Sequence, residues 1–216
     1  MTTVGTFSGT PKTEWLNQPA DDARDMRLLE EFDYSDSNGK RWDAPLGSII
    51  NGASIPQWLW NTMGSPYTGC YRNASIVHDI ACVRATTKAE RKTADKMFWE
   101  ACVAGGCTEP QANDLYAGVR IGAWWSPPSA RGLRMMMSTR EIKREATDSK
   151  KVYTAVRQKL GSRMATAKLS EIDKLVDAEM KKASTRSMAA ASAPRKKTAT
   201  RTAKGGKVAK KTKKRS

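Results

Sequence analysis

Fourteen of the chain's 38 lysines and arginines fall after residue 180, and no aspartate or glutamate accompanies them. Residues 181 to 216 are almost wholly Lys, Arg, Ala, Thr, Ser and Gly. A stretch so poor in apolar groups cannot offset the entropy of ordering, which predicts a disordered tail. Residues 1 to 180 keep 24 basic residues against all 22 acidic ones, so the formal net charge of +16 belongs largely to that tail. What can fold is a nearly neutral body, and a hydrophobic content of 39% is enough for a modest core. No stretch approaches the roughly 18 apolar residues of a membrane span. Residues 1 to 13 lack the basic and then apolar pattern of a secretion signal.

The body divides by local pattern. Residues 1 to 24 read as a polar arm with at most one short strand. Leu28, Leu29, Phe32 and Tyr34 suggest a strand, Asn38-Gly39 a hairpin turn, and Trp42 to Ile50 a returning strand. A compact loop from Asn51 to Pro56 follows, built around Gly52. Helices are expected over Asn73 to Arg84, over Lys88 to Ala104 behind a Thr87–Glu90 capping box, and over Glu109 to Ile121 with Pro110 in its first turn. A boundary is placed near Ala130. Val152, Val156, Leu160 and Met164, then Leu169, Ile172, Val176 and Met180, trace a narrow apolar stripe that predicts a pair of charged surface helices. The fold class is therefore α+β. It comprises the arm (1–24), a β hairpin with a mainly helical core (25–130), charged helices (131–180) and a disordered basic tail (181–216).

Only one histidine, His78, is present, which excludes any mechanism that needs two imidazoles. The four cysteines, Cys70, Cys82, Cys102 and Cys107, are too few for a disulfide-built scaffold, and mostly free thiols in a reducing compartment are expected. His78-Asp79 falls on the first helix and Asp95 on the second. If these helices pack antiparallel, setting His78 opposite Asp95 also brings Cys70 beside Cys102. Asp95 shares the apolar stripe of Phe98 and Cys102, and a carboxylate buried there needs a partner. An Asp bonded to one imidazole nitrogen fixes the tautomer and leaves the other nitrogen to take a proton from water, so His78 and Asp95 are the candidate catalytic pair. The same two residues also read as a buried pair that merely holds two helices together. Tyr116 on the third helix is placed to support Asp95 with a hydrogen bond. Asp79 points about 100° away from His78. With carbonyls of the loop at Asn51 and Gly52, it offers hard oxygen ligands of the kind calcium prefers.

Gly52 to Pro56, Trp58 to Trp60, Ala74 to Asp79, Asp95 with Phe98, and Tyr116 to Gly122 follow one another in an order that resembles an uncharacterised family of phage and prophage proteins, domain of unknown function 1353. The resemblance spans residues 27 to 125. It implies a phage-associated origin, hence the host cytoplasm during infection or the virion, and no established activity. The order Gly52, Ser54, Pro56, then His78-Asp79, then Asp95 and Phe98 is also similar to the small phospholipase A(2) enzymes of bacteria and fungi. That likeness implies that His78 is a general base, that Asp79 binds calcium with loop carbonyls, and that Asp95 orients His78. Asn51 stands where that family has Asp, and Cys82 where it has Tyr.

The tail has its own implication. Arg195, Lys196, Lys197, Arg201, Lys204, Lys207, Lys210, Lys211, Lys213, Lys214 and Arg215 form a segment that attracts nucleic acid through phosphates, or an anionic lipid surface, without reading sequence. Two functions are thus expected: a phospholipase A(2)-like, calcium-dependent ester hydrolase with a polyanion-binding tail, or a non-enzymatic phage accessory or virion protein that holds nucleic acid through that tail.

Overall fold

The helix that carries His78 is enclosed on nearly every side. The computed structural model describes residues 3–16, 25–50, 52, 57–125 and 139–192. The strands come first and are short. Strands β1 (Thr6–Phe7), β4 (Phe32–Ser35) and β5 (Arg41–Ala44) form one antiparallel sheet in the order β1–β4–β5. Strands β2 (Thr13–Trp15), β3 (Met26–Leu28) and β6 (Ile49–Ile50) form a second in the order β2–β3–β6. The hairpin turn at Asn38-Gly39 lies between β4 and β5, with Gly39 at φ 79°. The rest of the strand pattern corrects the sequence expectation. The ends of the expected hairpin separate into the second sheet, and the arm supplies two strands, β1 and β2, where at most one was expected. Strands of two or three residues leave no alternating run to read, and their pairing is decided by the partner strand.

Six helices follow among the described residues: α1 (Gln57–Met63), α2 (Arg72–Arg84), α3 (Lys88–Ala104), α4 (Glu109–Trp125), α5 (Thr139–Leu160) and α6 (Leu169–Ser192). Every residue of α2 from Ala74 to Ile80 is buried, because it packs between α3 on one side and β4, β5 and β6 on the other. Helix α3 opens on the expected capping box. The Thr87 hydroxyl accepts the Glu90 N–H and the Glu90 carboxylate accepts the Thr87 N–H, each at 3.1 Å, a cap of the kind that contributes about 1 kcal/mol. Helix α4 runs four residues beyond the expected end at Ile121, passing through Gly122, since no proline stands between Ile121 and Pro127.

The cysteine pattern is corrected as well. Cys70 is bonded to Cys107, with Cα atoms 5.1 Å apart, while Cys82 and Cys102 are free and buried. The chain leaving α3 doubles back through Gly105 and Gly106, which returns Cys107 to the start of α2. A Cβ at Gly105 would lie 2.3 Å from the Cys70 carbonyl oxygen, so the approach needs a glycine.

Helices α5 and α6 are joined by a 3-10 turn (Gly161–Ala165) and run antiparallel, as the Lys159–Glu179 and Arg163–Glu171 ion pairs show. Val152, Val156, Leu160, Met164, Ile172, Val176 and Met180 are all buried and continue the core of α2, α3 and α4. The expected boundary at Ala130 lies outside the described residues. The tail expectation is corrected in part. Helix α6 continues to Ser192, twelve residues into the stretch expected to be disordered, where an Ala-rich sequence favours helix and Ala183 still packs on the core.

Candidate functional site

Helix register brings the two halves of the site together. His78 and Asp95 are fully buried, and the imidazole Nε2 lies 2.9 Å from Asp95 Oδ1. The ring tilts over Phe98, one turn beyond Asp95 along α3, with centroids 4.6 Å apart. Cys82, one turn further along α2, places its sulfur 3.3 Å from the same Nε2. Because Cys82 and Asp95 meet one nitrogen, the imidazole cannot pass a proton between them through its two ends. The other nitrogen, Nδ1, is buried with no hydrogen-bond partner among the described residues. With Asp95 ionised, the Nε2 proton donates to it, and in the neutral ring Nδ1 carries the lone pair.

Asp95 has further partners that sequence reasoning missed. Arg91, one turn earlier on α3, places Nε 3.3 Å from Oδ1, and Arg120 on α4 donates from Nη1 to Oδ2 at 2.9 Å. Arg120 also donates from Nε to Asp173 of α6 at 3.0 Å, and Lys92 pairs with the second Asp173 oxygen at 2.7 Å. Tyr116 is not where it was expected. Its hydroxyl donates to Asp173 Oδ1 at 2.9 Å, because Arg120, one turn on, occupies the free Asp95 oxygen. The i, i+4 spacing of Arg91 to Asp95 was visible in the sequence. Arg120 stood inside the Tyr116 to Gly122 block without a role, and Asp173 had no local signal.

Electrostatics follow from this arrangement. Burial alone would push the Asp95 pKa up, but the His78 hydrogen bond and the charges of His78, Arg91 and Arg120 hold it below the usual carboxylate value. Burial alone would lower that of His78, but Cys82 and Asp95 raise it to about 9. Burial raises Asp173 while Lys92, Tyr116 and Arg120 lower it, with a net downward shift. Burial drives the Tyr116 phenol up, and Asp173 adds to it. His78, Cys82 and Asp95 offer ligand atoms within 4.8 Å of one another. Two guanidinium groups already neutralise that carboxylate, so a cation there would face like charge.

Asp79 turns toward the loop before α1, as its position on the helix required. Its Oδ2 accepts the Gly52 N–H at 2.8 Å. Gly52 has φ 60°, and a Cβ there would lie 2.4 Å from Pro66 Cγ, so this close approach requires glycine. Gly52 thus offers Asp79 a hydrogen-bond donor, and the contact is that of a loop anchor; the carbonyls at 51 and 53–56 that a calcium site there would draw on lie outside the described residues. Asn51, residues 53–56 and the basic residues from Arg195 to Arg215 lie outside the described residues.

Residues 26–119 match the family described as "Protein of unknown function (DUF1353)", the family that the ordered motifs resemble. Two proteins of Sinorhizobium fredii (strain NBRC 101917 / NGR234) are similar. "Uncharacterized protein y4jT" is 33% identical over 115 residues, covering 53% of this chain and 33% of that protein. "Uncharacterized protein y4iH" is 33% identical over 105 residues, covering 48% and 43%. The chain therefore spans less than half the length of either relative. No solved structure matches it.

Proposed function

We propose that this chain, whose residues 26–119 carry the DUF1353 match, is a phage-derived ester hydrolase that uses His78 as its base and is held to polyanions by its Lys/Arg-rich C-terminus. One observation carries the reading: Nδ1 of His78 is buried without a partner among the described residues, while Nε2 is held by an ionised Asp95. A buried nitrogen left unpaired calls for an explanation, and a base awaiting water supplies one. In the reaction, Nδ1 takes a proton from water as the water oxygen bonds to the ester carbonyl carbon. The imidazolium so formed is stabilised by Asp95 and returns its proton to the departing alkoxide, which leaves as an alcohol beside the new acid. Arg91 and Arg120 keep Asp95 ionised throughout. The order of Gly52, His78-Asp79 and Asp95, similar to phospholipase A(2), points to lipid esters. No step runs through calcium.

A second reading has its own observation. His78 and Asp95 are fully buried, and their carboxylate is shared with two arginines, as in an ion network that ties helices together. On that reading the whole function is polyanion binding by an accessory or virion protein. The test is release of fatty acid from vesicles of mixed anionic and zwitterionic phospholipid, by the full chain and by His78→Gln, with calcium and with chelator. Release that disappears in His78→Gln supports the hydrolase. No release from a folded protein transfers the assignment to the second reading, and release only with calcium would restore a metal at Asp79.

A further inference from the structure

Helix α6 lies outside the residues matched by the family, yet it reaches the buried pair. Asp173 is 5% exposed and faces the core beside Ile172 and Val176. Its two oxygens meet three partners: Arg120 at 3.0 Å, Tyr116 at 2.9 Å and Lys92 at 2.7 Å. The Arg120 guanidinium is bifunctional, with Nε on Asp173 and Nη1 on Asp95 Oδ2. Asp95 in turn holds His78 through its other oxygen. An unbroken chain of charged hydrogen bonds therefore runs from α6 through α4 and α3 to α2. Tyr116 braces Asp173 from the turn of α4 before Arg120, so Asp173 is held from two positions on one helix.

We propose that Asp173 is a positioning residue for the His78–Asp95 pair, acting through Arg120, so that the C-terminal helices complete a site the family's matched region does not contain by itself. Arg120 divides its charge between Asp173 and Asp95. While Asp173 holds the Nε side, the guanidinium meets Asp95 through Nη1, and Asp95 keeps Oδ1 for the imidazole. Without the Asp173 charge, Arg120 and Lys92 stand uncompensated beside the site, and a proton on His78 becomes less favourable. Without Arg120, Asp95 turns its full charge to His78, and that proton becomes more favourable. The groups that face the pair are Cys82 from α2, Arg91 and, through Asp173, Lys92 from α3, Arg120 and Tyr116 from α4, and Asp173 from α6. The coupling does not depend on catalysis, but its use in setting a base rests on the hydrolase reading.

The lone histidine gives an unambiguous readout, since the full-length protein has one imidazole to observe by 15N-edited NMR across a pH series. Asp173→Asn is expected to lower the His78 titration midpoint by roughly half a unit, a factor of about three in proton affinity, less than a charge in direct contact produces. Arg120→Gln is expected to raise it. Asp177→Asn makes the same charge change one turn further along α6 and is expected to move it less than Asp173→Asn does. Lys92→Gln, at a half-exposed position that a folded chain tolerates, removes a cation from Asp173 and is expected to move the midpoint upward with Arg120→Gln. A general loosening of the site would send every variant toward the free imidazole value. Midpoints that all fall, or Asp173→Asn and Asp177→Asn that cannot be told apart, overturn the proposal. The vesicle assay is read separately: opposite shifts without lipid hydrolysis would keep the coupling and remove the base.

Discussion

Asp95→Asn tests the buried network at its centre. The amide has nearly the same volume, so no cavity opens, and the change removes only the charge on which His78, Arg91 and Arg120 converge. Asp95 is fully buried, and the Arg120 side chain is only 12% exposed, so water cannot replace the lost partner. Taking one member from a buried ion pair costs about 3–5 kcal/mol. Arg120 keeps Asp173, which favours the lower half of that range. For a chain of this length each kcal/mol moves the melting temperature by about 2–4 °C, so the loss should be roughly 6–15 °C by calorimetry or circular dichroism. The His78 midpoint should fall in parallel. With Asp95 neutral, the burial that by itself lowers its pKa is opposed only by Cys82, and the midpoint should move from about 9 toward or below the ordinary value of 6.5. A melting point within about 2 °C of wild type, with His78 still titrating near 9, would refute the claim that this carboxylate organises the site.

The same titration sets a pH dependence. The folded-state pKa of His78 is raised, so its stabilisation is complete below about 6.5 and is lost as pH rises toward 9. Relative to His78→Gln, wild type should lose about 3 kcal/mol between pH 6 and 9.5 in urea unfolding, and a constant difference would count against the ion pair. On the hydrolase reading, His78-dependent release should rise with pH up to about 9, as the base form appears, and a rate that falls above pH 7 argues against it. Gly105→Ala should cost about 1–3 kcal/mol because its Cβ would press on the Cys70 carbonyl, a backbone atom that cannot swing away; chemical denaturation of the oxidised protein measures it. Removing residues 193–216 takes away 11 basic residues, and both DNA affinity and the steepness of its salt dependence should collapse together. Retention of either in a filter-binding assay would place the polyanion site on the helices.

Local signals explain what could be read in advance. The Thr87–Glu90 capping box, the spans of α2 and α3 and the apolar stripe of α5 and α6 all depend on residues within a turn or two of one another, and each appears where its pattern lies. The His78–Asp95 contact was legible because two helices joined by a short connection have little choice of register. Cys107 was not, since its bond to Cys70 depends on a glycine reversal that brings together residues far apart in the chain. The two small sheets escaped for a related reason: strands as short as Thr6–Phe7 and Ile49–Ile50 gain their identity from a partner.

The amino-acid sequence by itself determined the charge separation between body and tail, the main helices and the candidate pair of one histidine with one aspartate, because composition and helical period are properties of neighbouring residues. Only the tertiary structure decided which nitrogen of His78 is held, that Tyr116 serves Asp173 and not Asp95, and that Arg91, Arg120 and a residue of the last helix surround the carboxylate. A buried charge takes whichever partner packing brings within about 3 Å, and that choice is made among residues far apart in the chain.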